Sequence, residues 1–162
     1  MACRIPAKVF RRQITLDFER AEREHSDLLE AVRKVVGTYR KAGPAAIAAV
    51  PPLTRYGFND EQIVRLVTAV SLFYAGFRQT ARPRGDAEVL AREIYLALPG
   101  TAEGLIKARR TTEQAYDLIT TVMRKAWNCD GFNLTDLVPM ARRMPDEAIV
   151  DYFSQPGEVE LQ

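Results

Sequence analysis

Apolar residues recur every three to four positions along most of this chain, and no stretch alternates with period two long enough to make a strand. Ile14, Phe18, Ala21, Leu28, Val32, Val35, Val36 and Tyr39 fall on one stripe, with charges on the other side, which predicts an amphipathic helix over 14–39. Gly37 lies near its end and Gly43-Pro44 reads as its stop. An Ala-rich helix over 44–50 should end at Pro51-Pro52, because proline lacks the N–H that continues a helix. Asn59 and Gln62 then have the spacing of a reciprocal cap, opening a helix that buries Ile63, Leu66, Val67, Val70, Phe73 or Tyr74, and Phe77. It closes into a basic loop carrying Arg78, Arg82, Pro83, Arg84 and Gly85. Asp86 caps a fourth helix, with Val89, Leu90, Ile94 and Ala97 inward and Pro99-Gly100 as its predicted stop.

The stretch GLIKARRTTEQAYDLITTVMRKAW, 104–127, is the most distinctive. A short apolar turn, Leu105-Ile106, leads into Lys107, Arg109 and Arg110, and Thr111 with Gln114 repeats the capping-box spacing. Behind that cap Tyr116, Ile119, Val122, Met123 and Ala126 make one apolar helical face. Asn128 to Gly131 is turn chemistry, Asn133 caps a helix over 134–144, and Pro145 starts a last helix to about Phe153. The fold class that follows is all-α: six to seven helices in one bundle or in two small lobes. The expected division is an N-terminal lobe with its basic loop over 1–85, a C-terminal lobe over 86–155, and an acidic tail over 156–162.

Composition narrows this reading only a little. With 162 residues, 47% of them hydrophobic and 27% charged, the chain has the balance of a folded domain, not of a disordered one. Net charge is +2, distributed unevenly: residues 1–58 carry +5, 102–144 carry +2, and 145–162 carry −5. That asymmetry permits a polyanionic partner. The two cysteines, Cys3 and Cys129, form no CxxC pair, which suits a reducing cytoplasm. Residues 1–9 hold Arg4 and Lys8 without an apolar core, so they do not read as a secretory signal. The uncharged run 66–77 is well short of the roughly 20 residues a spanning helix needs, so no membrane association is expected.

Catalytic chemistry is hard to assemble from these residues. His25 is the single histidine, and Glu22 with His25 gives one Glu-x-x-His pair where a di-iron bundle needs two and further glutamates. No Ser–His–Asp or Cys–His arrangement can be built. GPAA at 43–46 and LPGT at 98–101 read as helix stops, not phosphate loops. No enzyme activity, cofactor or metal is expected. What remains is a set of cations at helix ends and loops: Arg78, Arg82 and Arg84; Lys107, Arg109 and Arg110; Arg124 and Lys125; Arg142 and Arg143. Arg124-Lys125 and Arg142-Arg143 lie in last turns, where the helix dipole favours cations whatever the function. The loop arginines and the 107–110 corner lack that explanation and point to phosphate. Binding of this kind would ignore base sequence, because nothing resembles a recognition helix or an aromatic platform. Tyr56, Phe58 and Trp127 are better read as core than as base-stacking groups.

The order of RLVTAVSLFYAG (65–76), a basic loop, EVLAREIYLAL (88–98), LIKARRT (105–111) and FNLTDLVPMARRM with DEAIVDYF (132–153) resembles the small subunit of CRISPR surveillance complexes, the CasB family of Cascade. The resemblance covers roughly residues 50–153. It implies an all-helical, non-catalytic subunit whose copies line up beside the guide RNA held by backbone subunits. It also implies a basic surface that steadies the guide–target duplex and the displaced strand. Lys107, Arg109, Arg110, Arg142 and Arg143 match the family's basic positions, whereas Phe132 and Leu134 stand where tryptophans are usual. A competing expectation is a helical adaptor or inhibitor that docks on a protein through 14–39 and touches no nucleic acid.

Overall fold

The computed structural model describes residues 26–37, 39–79, 87–126 and 132–154, with backbone alone for 75–79 and 87. These residues form seven α-helices and one short 3-10 turn: α1 Ser26–Val36, α2 Gly43–Arg55, α3 Asp60–Gln79, α4 Ala87–Lys107, α5 Thr112–Ala126, the 3-10 turn Leu134–Asp136, α6 Leu137–Arg143 and α7 Asp146–Ser154. The all-α expectation holds. Residues 14–25 of the predicted first helix, Phe77's side chain, Asp86 and the 128–131 turn lie outside what is described, as do His25 and both cysteines.

Local chemistry sets several boundaries as expected. Asn59 N–H donates to Gln62 Oε1 at 3.0 Å while Gln62 N–H donates to Asn59 Oδ1 at 2.8 Å, closing a reciprocal cap on α3. Thr111 and Gln114 do the same for α5, at 2.9 and 3.1 Å. Asn133 Oδ1 accepts from Thr135 N–H at 3.1 Å and opens the 3-10 turn that feeds α6.

Two predicted stops fail. α2 runs straight through Pro51 and Pro52 to Arg55, and α4 runs through Pro99 and Gly100 to Lys107. Each proline removes the hydrogen bond it would have donated one turn back and crowds the carbonyl there. In return the extra turns bury Leu53 on one helix and Ala102 and Leu105 on the other, all fully inaccessible. Full burial of one leucine contributes about 1.5–3 kcal/mol, comparable to the cost of an internal proline, so packing decides the outcome. Leu105-Ile106 is accordingly the last turn of α4, not a separate element, and Gly43 opens α2 instead of stopping the helix before it.

Side-chain links fix the helix directions. Glu88 Oε1 accepts from the N–H of Lys41 at 2.6 Å, and Tyr56 OH donates to Glu103 Oε2 at 2.6 Å, so α2 and α4 lie side by side and run the same way. Tyr95, wholly buried in α4, donates to Val67 O at 3.1 Å and meets Ser71 Oγ at 2.9 Å, which joins the middles of α3 and α4. Gln62 Nε2 donates to Glu113 Oε1 at 2.8 Å, so α3 and α5 start together and run in parallel. One hydrophobic core, from Leu28 to Phe153, spans residues on both sides of the 85/86 division, so the two expected lobes share a single interior.

Gly104 marks a close helix approach. A Cβ there would stand 2.6 and 2.8 Å from the methyls of Val138, so α4 and α6 meet at van der Waals distance only because the glycine has no side chain. Gly104→Ala is expected to destabilise the fold by about 1–3 kcal/mol despite alanine's better helix propensity, read from urea midpoints. The double variant with Val138→Ala should recover part of that loss. Equal stability of Gly104→Ala and wild type would show that the two helices can move apart freely.

Candidate nucleic-acid interface

The basic corner is built by the way α4 ends. Arg109 N–H donates to Ile106 O and Arg110 N–H to Leu105 O, each at 3.0 Å, and Arg109 adopts the left-handed conformation with φ 70°. This is a Schellman termination, which satisfies the last carbonyls of the helix. The Arg110 side chain then turns inward. Its Nε donates to Asp146 Oδ1 at 2.9 Å, Nη1 to Ala108 O at 3.0 Å and Nη2 to Met144 O at 3.0 Å. The pair is well covered, with 16% of the arginine side chain and 30% of the aspartate exposed. Arg110 thus ties the α4–α5 turn to the α6–α7 turn, and three of its five N–H donors are spent inside the protein. It is not the free phosphate ligand that the sequence suggested.

Lys107 is also engaged, by Glu103 Oε1 at 2.7 Å one turn back. The ammonium and then the Tyr56 hydroxyl hold the Glu103 carboxyl below its ordinary value. Both partners of the ion pair are largely exposed, so the contact is weak, but it lowers the local positive field. Arg109, Arg142 and Arg143 are different. All three are exposed, and among the described residues no carboxylate pairs with them. Arg143 makes only a long 3.4 Å contact from Nε to Pro139 O of its own helix. Because Met144 O is one of the Arg110 acceptors, the backbone that follows Arg142-Arg143 is tied to the turn that carries Arg109.

The remaining cations sit elsewhere. Arg124 and Lys125 are exposed in the last turn of α5, about 20 Å along the helix from Thr111 at 1.5 Å per residue. The backbone of Arg78 lies in the last turn of α3, which runs parallel to α5 and so ends on the same side of the bundle. Arg82 and Arg84 lie outside the described residues. The described cations are therefore divided between two ends of the bundle and not gathered on one patch. Between them, α5 and α7 frame a shallow groove of about 330 Å³ lined by Asp117, Asp146, Glu147 and Asp151 with Leu118 and Val150. Its carboxylates would repel a phosphate chain, so any path joining the two basic ends must avoid that side.

No family model, curated protein or solved structure matches this chain. Its own chemistry has to carry the reading. Phe58 is buried, as expected of a core residue, and Tyr56 spends its hydroxyl on Glu103. Trp127 lies outside the described residues. Sequence reasoning overlooked Tyr152, which is 61% exposed and packs edge-on against Phe153, and also the Asp146 partner of Arg110. The aspartate did carry a signal, since it follows Pro145 at a helix start, but nothing along the chain ties it to residue 110. Among the described residues no group of three or more His, Cys, Asp or Glu side chains is placed to hold a metal, and no helix is long and apolar enough to cross a membrane.

Arg110→Ala should cost about 2–3 kcal/mol in urea unfolding, because it strands Asp146 and leaves two carbonyls without their donor. Asp146→Asn should cost less, since the guanidinium keeps both carbonyl acceptors. Equal losses would mean that the ion pair alone carries the tie. Glu103 gives a pH test. Its lowered folded-state pKa stabilises the protein above the ordinary value of 4.5, and this contribution disappears as pH falls through the depressed value. Wild type and Glu103→Gln should therefore differ in urea midpoint near neutrality and converge as the pH is taken well below 4.5. A gap that does not change with pH would exclude this linkage.

Proposed function

We propose that this chain is a non-catalytic helical subunit that grips a nucleic-acid backbone without reading its sequence. The observation that carries the reading is the set Arg109, Arg142 and Arg143. These are three exposed guanidinium groups with no carboxylate partner among the described residues, carried on two turns that a fourth arginine ties together. Guanidinium groups match phosphate oxygens in geometry and charge and carry no information about bases unless a groove is entered. Arg124 and Lys125 supply a second contact about 20 Å away, close to the span of six phosphates on one duplex strand at 3.4 Å each. A rigid body with cations at two ends suits steadying a strand held by other subunits better than capturing one alone. In the assembly we propose, a CRISPR ribonucleoprotein effector complex, the partners are the backbone subunits with their guide RNA and neighbouring copies of this chain. The ligand is the guide–target duplex or the displaced strand.

A second reading, a helical protein–protein adaptor, draws on Leu72 and Leu96, which are 62% and 48% exposed on α3 and α4, and on the acidic groove. Salt dependence separates the two. Neutralising about four phosphates of a single strand predicts a log–log slope of affinity against salt near −3. A fluorescent oligonucleotide titrated between low and physiological salt should show that slope whatever its base composition. Purification from the native host should then bring down RNA with repeated copies of a backbone protein. Absence of binding at low salt, together with a single protein partner and no RNA, would establish the adaptor reading instead.

A further inference from the structure

We infer that Arg109 is a direct phosphate-contact residue, kept at a backbone position that otherwise calls for glycine. The inference rests on the nucleic-acid reading above and deepens it by naming the contact. The molecule contains the same helix termination twice at the same end of the bundle. α2 closes with Gly57 N–H on Thr54 O at 3.1 Å and Phe58 N–H on Leu53 O at 3.2 Å, and Gly57 has φ 94°. α4 closes with the matching pair of bonds from Arg109 and Arg110, and Arg109 has φ 70°. Among the described residues these two alone have positive φ. Only glycine enters that region without a clash between its Cβ and the neighbouring backbone. At Gly57 the turn packs against Thr112, whose Oγ1 donates to Tyr56 O at 3.0 Å and would stand 3.2 Å from an added Cβ, whereas the turn at Arg109 carries an exposed arginine.

The neighbours of Arg109 make its retention specific. Lys107 is paired with Glu103 and Arg110 is occupied by Asp146, Ala108 and Met144. Of the three cations in the corner, the strained one alone keeps its charge for an outside partner. Its backbone N–H closes the turn on Ile106 O, and among the described residues its side chain has no hydrogen bond or ion pair, which leaves the guanidinium to a ligand. A sparsely populated backbone conformation held at an exposed charged residue is the kind of outlier from which a binding role can be argued. The ligand class is a phosphodiester backbone, with Arg142 and Arg143 alongside.

Three variants of the full chain, tested with a labelled oligothymidine single strand, decide the matter. Arg109→Gly should raise the thermal midpoint by about 2–4 °C while making the salt slope shallower by about 0.7, the share of one single-strand phosphate. Arg109→Ala should lose the same slope without the rise, because alanine keeps the backbone strain. Arg109→Lys should keep the slope. If wild type binds but all three variants retain its slope, Arg109 is no more than a poor helix terminator, and this inference fails while the proposed function stands. If wild type does not bind the strand even at low salt, the proposed function fails and takes the inference with it. An unchanged midpoint in Arg109→Gly would remove the strain on which the argument turns.

Discussion

The guanidinium of Arg110 is the point through which two halves of this surface are joined. It sits where α4 gives way to α5, and it reaches the segment where α6 gives way to α7. Two backbone carbonyls and one carboxylate receive it, so its position is fixed from three directions. A planar, permanently charged fork suits this role better than an ammonium would, because each N–H has a set direction. Remove that tie and the α6–α7 turn loses its register against the α4–α5 turn. The backbone after Arg142 and Arg143 would then no longer be tied to the turn that carries Arg109. The candidate site is therefore a property of two turns locked together, not of any one basic run.

The fold was legible wherever the cause was local. Both capping boxes, at Asn59 with Gln62 and at Thr111 with Gln114, formed as their spacing required, since each needs only one helical turn. The 3.6-residue period found Ile119, Val122, Met123 and Ala126 on the buried face of α5, but missed Ala115 and Leu118 and included Tyr116, which is only half-buried. The reading failed where a distant surface outweighed a local rule. Pro51-Pro52 and Pro99-Gly100 have the composition of stops, yet the residues beyond them are apolar and find a core to enter. Proline's cost is local and fixed, while the gain depends on which helices lie opposite, and that is not written in the vicinity of the proline.

The site was legible only as a list of charges. Lys107, Arg109 and Arg110 look alike in sequence, but the structure gives them three separate fates. Lys107 meets a carboxylate one turn back on its own helix, a pairing that i,i+4 spacing does announce. Arg110 meets one that is 36 positions away, which nothing nearby announces. Arg109 is distinguished by its backbone, because some residue after Lys107 had to take the left-handed position and no glycine was present there. The division of the cations between two ends follows from helix direction. The link between Gln62 and Glu113 makes α3 and α5 parallel and so sends their C-terminal charges together to the far side.

At that far side, α2 begins without a cap of its own. Ala42 has no side-chain oxygen to offer, and the carboxylate of Glu88, from α4, receives the main-chain N–H groups of Lys41 and Ala42 instead, at 2.6 and 3.4 Å. With two internal prolines and a borrowed terminus, α2 has little reason to be helical alone. Its helicity is conferred by its neighbour, so α2 persists only while the start of α4 stays docked against it. A fault at the start of the one would be felt as fraying of the other, more than forty positions earlier in the chain.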